Sequence, residues 1–288
     1  MNDVAAQRYE DRYFTVRDGL RLHYRDYPGS DERPPLLCLP GLTRNARDFA
    51  DLAERHSPRF RVLALEFRGR GMSDYDPVPA RYIPPTYALD TIELLDQLAI
   101  PQAIFVGTSL GGLVTMAIAA IAPQRIAAAI LNDIGPQIED VGVDRIKSYV
   151  GSGVRFASWD EAAERIARNT QVSDHYGQDD WVRMARRNCR EENGEIVFDY
   201  DPAIAAPFDT AGPTPQIDMW PLFTALAQKP LLVIRGARSD LFAAPTLEKM
   251  HAAAPAMRSA VVPGVGHAPD LSEPEAAAAI DSFLGSLD

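Results

Sequence analysis

Gly107-Thr108-Ser109-Leu110-Gly111 stands between an apolar, β-branched run, Ala103-Ile104-Phe105-Val106, and a small-residue stretch of helical character, Leu113 to Ala122. A chain that passes from strand straight into helix holds the residue at the turn in a strained backbone conformation. Glycines two before and two after it remove the Cβ atoms that would clash there. This feature restricts the fold to one in which a strand ends at the carboxyl edge of a sheet and a helix begins at once. The Ser109 hydroxyl is then pushed out over the positive end of that helix, where a nucleophile is useful. Without strand and helix on either side, the same five letters are a tight Gly/Ser turn with no chemistry.

The surrounding sequence keeps the strand–helix alternation that such a turn needs. Tyr13 to Arg17 and Leu20 to Tyr27 read as a hairpin about Asp18-Gly19, a two-residue turn signal. Leu36 to Leu39 is an all-apolar run suited to a strand buried on both faces. A helical pattern follows from Ala46 to His56, then a strand at Arg61 to Leu65. The next helix is expected at Tyr87 to Leu98, with Leu89, Ile92, Leu95 and Leu98 as its apolar face. Ala127 to Leu131 is a further buried strand. This order predicts a mostly parallel sheet with helices on both faces.

The rhythm breaks between Gly135 and Trp220. That segment holds all three tryptophans, Trp159, Trp181 and Trp220, with helical patterns at Trp159 to Ala167 and Asp179 to Cys189 and no run of parallel strands. Gly135-Pro136 brackets one end and Pro213, Pro215 and Pro221 the other. The alternation resumes with a strand at Leu231 to Ile234, a helix at Pro245 to Ala254, a strand at Ser259 to Val262 and a helix at Pro274 to Leu284. Because it resumes, the interruption reads as an insertion: residues 136–220 form a helical cap, and 1–135 with 221–288 form one core domain.

A formal net charge of -11 argues against nucleic acid, whose phosphates demand a basic face. No apolar stretch reaches membrane-spanning length, Leu110 to Ile121 being too short, and Met1 to Glu10 lacks the apolar segment of a signal peptide. Cys38 lies in an apolar strand and far from Cys189, so a disulfide framework is not expected. No His/Cys cluster has metal-ligand spacing, and no Lys-Ser/Thr follows the glycine-rich pieces to make a phosphate cradle. A soluble cytoplasmic protein without metal or cofactor is expected.

A serine hydroxyl needs an adjacent base, and the base an orienting carboxylate. Of five histidines, His23, His56, His175 and His251 fall in the hairpin, at a helix end, in the insertion and in a late helix. His267 stands in Pro263-Gly264-Val265-Gly266-His267-Ala268-Pro269, just past the last strand, where two glycines let the loop reach back. The carboxylate should follow a strand and precede this histidine. Asp240, in Leu232-Val233-Ile234-Arg235-Gly236-Ala237-Arg238-Ser239-Asp240, meets that description and is the expected acid, although it would also serve as a helix N-cap or as a partner of Arg238. Asp133, directly after the strand that follows the nucleophile helix, is the rival.

With Ser109, Asp240 and His267 in this chain order, the sequence resembles the α/β-hydrolases, on the esterase, lactonase and C–C bond hydrolase side of that family. The resemblance runs from Phe14 to Leu284. Leu39-Pro40-Gly41-Leu42 is similar to the family's His-Gly-X turn, and Phe67-Arg68-Gly69-Arg70-Gly71-Met72-Ser73 to its Arg-Gly-X-Gly-X-Ser loop. Two positions depart from the pattern: Pro40 replaces the usual histidine, and Glu66 the usual aspartate. The resemblance implies an eight-stranded, mostly parallel sheet with a helical lid inserted after strand 6. It also implies an oxyanion hole from the backbone N–H groups of Leu42 and Leu110. Relatives that dehalogenate or open epoxides carry an aspartate at the Ser109 position, which sets this chain on the esterase side.

The expected activity is hydrolysis of a small carboxylic ester or lactone through an acyl-enzyme on Ser109. Cleavage of a carbon–carbon bond beside a ketone is the alternative with the same triad. A hydrolase-like ligand receptor without turnover is the alternative of another class. Arg44, followed by Asn45, is a candidate contact for a substrate carboxylate, and Trp159 and Trp181 are candidates for an apolar pocket wall. Arg68 and Arg70 are expected to brace loops.

Overall fold

The computed structural model of the protein describes residues 8–170, 174–208 and 218–287. The strands of the main sheet are β1 (Glu10–Thr15), β2 (Arg21–Tyr27), β3 (Leu36–Leu39), β4 (Val62–Leu65), β5 (Ala103–Thr108) and β6 (Ile126–Asn132). After an insertion carrying β7 (Arg155–Phe156), β8 (Cys189–Glu192) and β9 (Glu195–Phe198), β10 (Leu231–Gly236) and β11 (Arg258–Val262) complete it. The spatial order is β1-β2-β4-β3-β5-β6-β10-β11. β2 runs antiparallel to both its neighbours, and every pairing from β4 to β11 is parallel.

Period-2 alternation sorts these strands into two cores. Leu37, Leu39, Leu63, Leu65, Phe105 and Leu131 join one cluster; Leu36, Cys38, Val62, Ala64, Val106 and Ile130 join the other. A run such as Leu36–Leu39 therefore has to be apolar throughout, because each face has its own layer of helices. α1 (Ala50–His56) contributes Leu52 and Ala53 to the second cluster, while α2 (Pro84–Gln97) and α3 (Leu110–Ile121) contribute to the first. The insertion holds α4 (Asp140–Lys147), α5 (Trp159–Asn169) and α6 (Gln178–Asn188). It is followed by α7 (Trp220–Leu226), α8 (Ala244–Ala253) and α9 (Pro274–Gly285). α7 and α8 bring Phe223 and Met250 to the first cluster, and α9 brings Ile280 and Phe283 to the second.

Three local expectations are corrected. The hairpin turn is longer than two residues: the strands stop at Thr15 and start at Arg21, with Val16 N–H donating to Leu20 O and Gly19 to Val16 O. The buried face of α2 is broader than the expected stripe: Leu95 is buried and Ile92 and Leu98 pack on the first cluster, but Tyr87, Asp90, Thr91 and Leu94 are buried with them. Leu89 is 42% exposed, whereas Asp90 is buried because its carboxylate accepts two hydrogen bonds from the Arg68 guanidinium, at 2.6 and 2.8 Å. The insertion is not purely helical, since β7, β9 and β8 form a small antiparallel sheet whose β8–β9 hairpin turns at Asn193-Gly194, both at positive φ. Its helices and strands share a core of Phe156, Ala162, Ala163, Ile166, Met184, Ala185 and Ile196. Pro213 and Pro215 lie outside the described residues.

Candidate active site

Ser109 connects β5 to α3 with φ +50° and ψ −114°, a region that a side chain normally avoids. The flanking glycines make this turn possible. A Cβ on Gly111 would stand 2.0 Å from the Leu39 carbonyl oxygen, and one on Gly107 would stand 2.6 Å from the Gly111 carbonyl carbon. The amide of Ser109 is anchored to Asn132 O at the end of β6.

His267 Nε2 lies 2.9 Å from Ser109 Oγ. Its Nδ1 lies 2.7 Å from Asp133 Oδ2. A carboxylate only accepts, so Nδ1 carries the proton and Nε2 is the nitrogen left to face the serine. Asp133 is fully buried, has φ +55°, and its amide continues the β6–β10 ladder by donating to Ile234 O. Its second oxygen, Oδ1, accepts from the Gly236 amide at 2.7 Å. The loop that carries His267 is tied to the same place: Asn132 Nδ2 donates to Pro269 O at 2.8 Å and reaches Thr108 Oγ1 at 3.2 Å.

This corrects the expectation for Asp240. Its side chain meets Arg145 of α4 in a two-pronged ion pair, with Nε to Oδ2 at 2.7 Å and Nη2 to Oδ1 at 2.8 Å. Burial pushes the Asp240 carboxyl up, but the hydrogen bonds and charge of Arg145 outweigh it and hold the group below the usual range. β6 and β10 are neighbours, so an acid at the end of either strand lies at the same sheet edge. The guanidinium that engages Asp240 comes from α4, in the insertion.

Gly41 and Leu42 sit beside the serine; a Cβ on Gly41 would be 3.8 Å from that of Ser109. Arg70 braces this turn by donating to Leu42 O at 2.9 Å, and Arg68 is held by Asp18, Asp76 and Asp90, as loop-bracing residues would be. Glu66 accepts from the amides of Ala46 and Met72 and contacts His23 Nδ1 at 2.9 Å. It thereby joins the segment after the Gly41 turn to the Arg68–Ser73 loop.

A cavity of about 140 Å³ opens over Ser109 and His267. The core lines it with Leu42, Arg44 and Asp270, and the insertion with Arg145, Tyr149, Asn169, Met184, Arg187 and Phe198. Arg44 is therefore at the cavity, with its guanidinium already clasped by Asp48 at 2.6 and 2.7 Å. Trp159 and Trp181 are not among the lining residues. Both pack on the insertion's own core, Trp181 edge-on to Tyr176 and Trp159 beneath the Arg186 guanidinium. This corrects the expectation of a pocket wall at Trp159 and Trp181: both are packing residues, and the wall is built in part from Tyr149 and Phe198, which the sequence did not single out.

Asp270, three residues past His267, accepts a 2.5 Å hydrogen bond from the Tyr176 hydroxyl. Glu273 accepts from the Asp270 amide. Burial, reinforced by the Asp270 charge, pushes the Glu273 carboxyl up to about 7. Among the described residues no cluster of His, Cys, Asp or Glu is arranged to hold a metal ion, and no helix is long and apolar enough to cross a membrane.

Residues 36–280 match the profile of the Alpha/beta hydrolase family. A 3-hydroxybutyrate-oligomer hydrolase from Cupriavidus necator is 30% identical over 272 residues, covering 92% of each chain. A 2-(acetamidomethylene)succinate hydrolase from Mesorhizobium japonicum is 28% identical, covering 95% of each. Among solved structures, an alpha/beta hydrolase from Novosphingobium aromaticivorans superposes with a TM-score of 0.93 at 50% identity, covering 98% of this chain and 99% of the other.

Proposed function

The chain belongs to the alpha/beta hydrolase family, and from that premise we propose that it is a serine hydrolase of small carboxylic esters. One observation carries the reading: an unbroken hydrogen-bonded series from Ser109 Oγ through His267 to Asp133, at the floor of a cavity. In the proposed mechanism His267 Nε2 takes the Ser109 proton as Oγ attacks the ester carbonyl, and returns it to the departing alcohol. Asp133 keeps the imidazole in the tautomer with Nδ1–H and supports the imidazolium. The amides of Leu42 and Leu110 hold the oxyanion; Leu110 is the first residue of α3, where an amide has no intrahelical acceptor. Water, deprotonated by His267, then attacks the acyl carbon, and Ser109 regains its proton as the acid leaves.

Residues 136–220 are assigned as a cap that selects substrates over a core of 1–135 and 221–288. The cavity's cap wall of Tyr149, Met184 and Phe198 supports this assignment. Oligo-esters of short hydroxy acids are the first substrate class to examine, given the similarity to the 3-hydroxybutyrate-oligomer hydrolase. The test is a hydrolysis screen over p-nitrophenyl esters of rising chain length, lactones and 3-hydroxybutyrate dimers and trimers, run beside Ser109→Ala. Release of acid that depends on Ser109 supports the reading. Failure of every ester and lactone, with the protein folded, rejects it.

A further inference from the structure

Asp240 is not the group that β10 brings to His267; its neighbour in sequence, Ser239, is directed at the same machinery. Ser239 Oγ stands 2.5 Å from Asp133 Oδ2, the same oxygen that accepts from His267 Nδ1. The amides of Leu241 and Phe242 both donate to Ser239 Oγ, at 3.3 and 3.0 Å. A serine hydroxyl has two acceptor lone pairs and one proton. With both lone pairs facing amide donors, the proton is directed to Asp133. The hydroxyl has no rotamer in which it keeps the two amides and turns its proton elsewhere.

We propose that Ser239 is a positioning residue for the hydrolysis, acting only through Asp133. Asp133 has two oxygens and three donors: Gly236 N–H on Oδ1, and Ser239 O–H and His267 Nδ1–H on Oδ2. Gly236 alone fixes one end of the carboxylate and leaves it free to pivot about that contact. Ser239 fixes the other end, so Oδ2 stays on the line to Nδ1. The loop is itself set. Ser239 N–H donates to Gly236 O, and Arg145 clasps Asp240 from α4. Ser239 touches neither Ser109 nor His267 in this account, and so it is not a catalytic residue.

The inference rests on the triad reading, and a double-mutant cycle separates the two. Ser239→Ala, Ser239→Thr, Asp133→Asn and the Ser239→Ala/Asp133→Asn double variant are compared by kcat and KM on one p-nitrophenyl ester, with Tm measured for each. A hydrogen bond to a charged group corresponds to about a 10- to 100-fold effect. The expected result is a loss of that size in kcat for Ser239→Ala, with KM little changed. Ser239→Thr, which retains the hydroxyl, should recover most of the rate. In the Asp133→Asn background Ser239→Ala should cost almost nothing more, because residues acting as a unit are not additive. An additive loss in the double variant, or a Ser239→Ala enzyme of full rate beside an inactive Asp133→Asn, overturns the role of Ser239. Full activity in Asp133→Asn instead overturns the triad reading itself.

Discussion

Asp133→Asn should nearly abolish turnover, for a reason specific to the cage around this side chain. An amide has one oxygen and one NH₂, while Asp133 faces three donors from the protein. If the amide oxygen stays on the Gly236 N–H, the NH₂ faces His267 Nδ1 and requires that nitrogen to be unprotonated. The imidazole proton then moves to Nε2, which can no longer accept from Ser109. If the oxygen turns toward His267 and Ser239, the NH₂ meets the Gly236 N–H at a spacing of 2.7 Å, donor against donor. Neither orientation keeps all contacts, and the first gives the wrong tautomer. A misassigned tautomer in such a triad costs about 10⁴-fold in kcat, or about 5.4 kcal/mol at 1.36 kcal/mol per decade. Asp240→Asn weakens the two-pronged pair with Arg145 and leaves the His267–Asp133 contact in place. It should leave kcat near that of the parent while lowering stability by about 1–2 kcal/mol. Steady-state hydrolysis of one ester, with Tm as the control for folding, measures both. A reversed pair of effects would refute the cage argument and return the acid to β10.

Glu273 titrates higher folded, at about 7, than in an unfolded chain at about 4.3, so the native state holds the extra proton between those values. Its contribution to stability therefore falls as pH rises from about 4 to 7, and Glu273→Gln should remove that decline from a plot of Tm against pH. An unchanged slope would contradict the assignment. Gly111→Ala should abolish activity and lower Tm sharply, since its Cβ would lie 2.0 Å from a backbone oxygen. Gly285→Ala, with nothing within 4 Å of the added carbon, is the matched control and should be neutral or slightly stabilising. Trp181→Ala should lower stability without changing the ratio of kcat/KM between short and bulky esters, whereas Phe198→Ala should change that ratio; the opposite pattern would place Trp181, not Phe198, at the substrate.

The strained turn, the layered sheet and the histidine loop were legible because each has a local signature. Glycines flank Ser109, apolar runs mark strands buried on both faces, and two glycines precede His267. The choice of acid was not local. Asp133 and Asp240 end adjacent strands, and the partners that separate them, Arg145 for one and Ser239 for the other, are 95 and 106 residues away from them. The face of α2 was legible at Ile92, Leu95 and Leu98 but not at Asp90, because apolar periodicity gives no weight to a carboxylate, whose burial here is offset by its pairing with Arg68. The β8–β9 hairpin did carry a readable signal, Asn193-Gly194 between two short runs, of the kind that favours a tight turn. The cavity wall was invisible for a physical reason: which insertion side chains face Ser109 depends on how the insertion docks, not on the sequence of any one helix.

Ser109 is the proposed nucleophile, and a covalent trap tests that role without knowledge of the natural substrate. The folded protein is treated with a fluorophosphonate, digested and mapped by tandem mass spectrometry. A single phosphonyl adduct on Ser109, absent from folded Ser109→Ala, is the expected result. An adduct on another residue, or undiminished labelling of Ser109→Ala, would contradict the assignment of Ser109 as nucleophile.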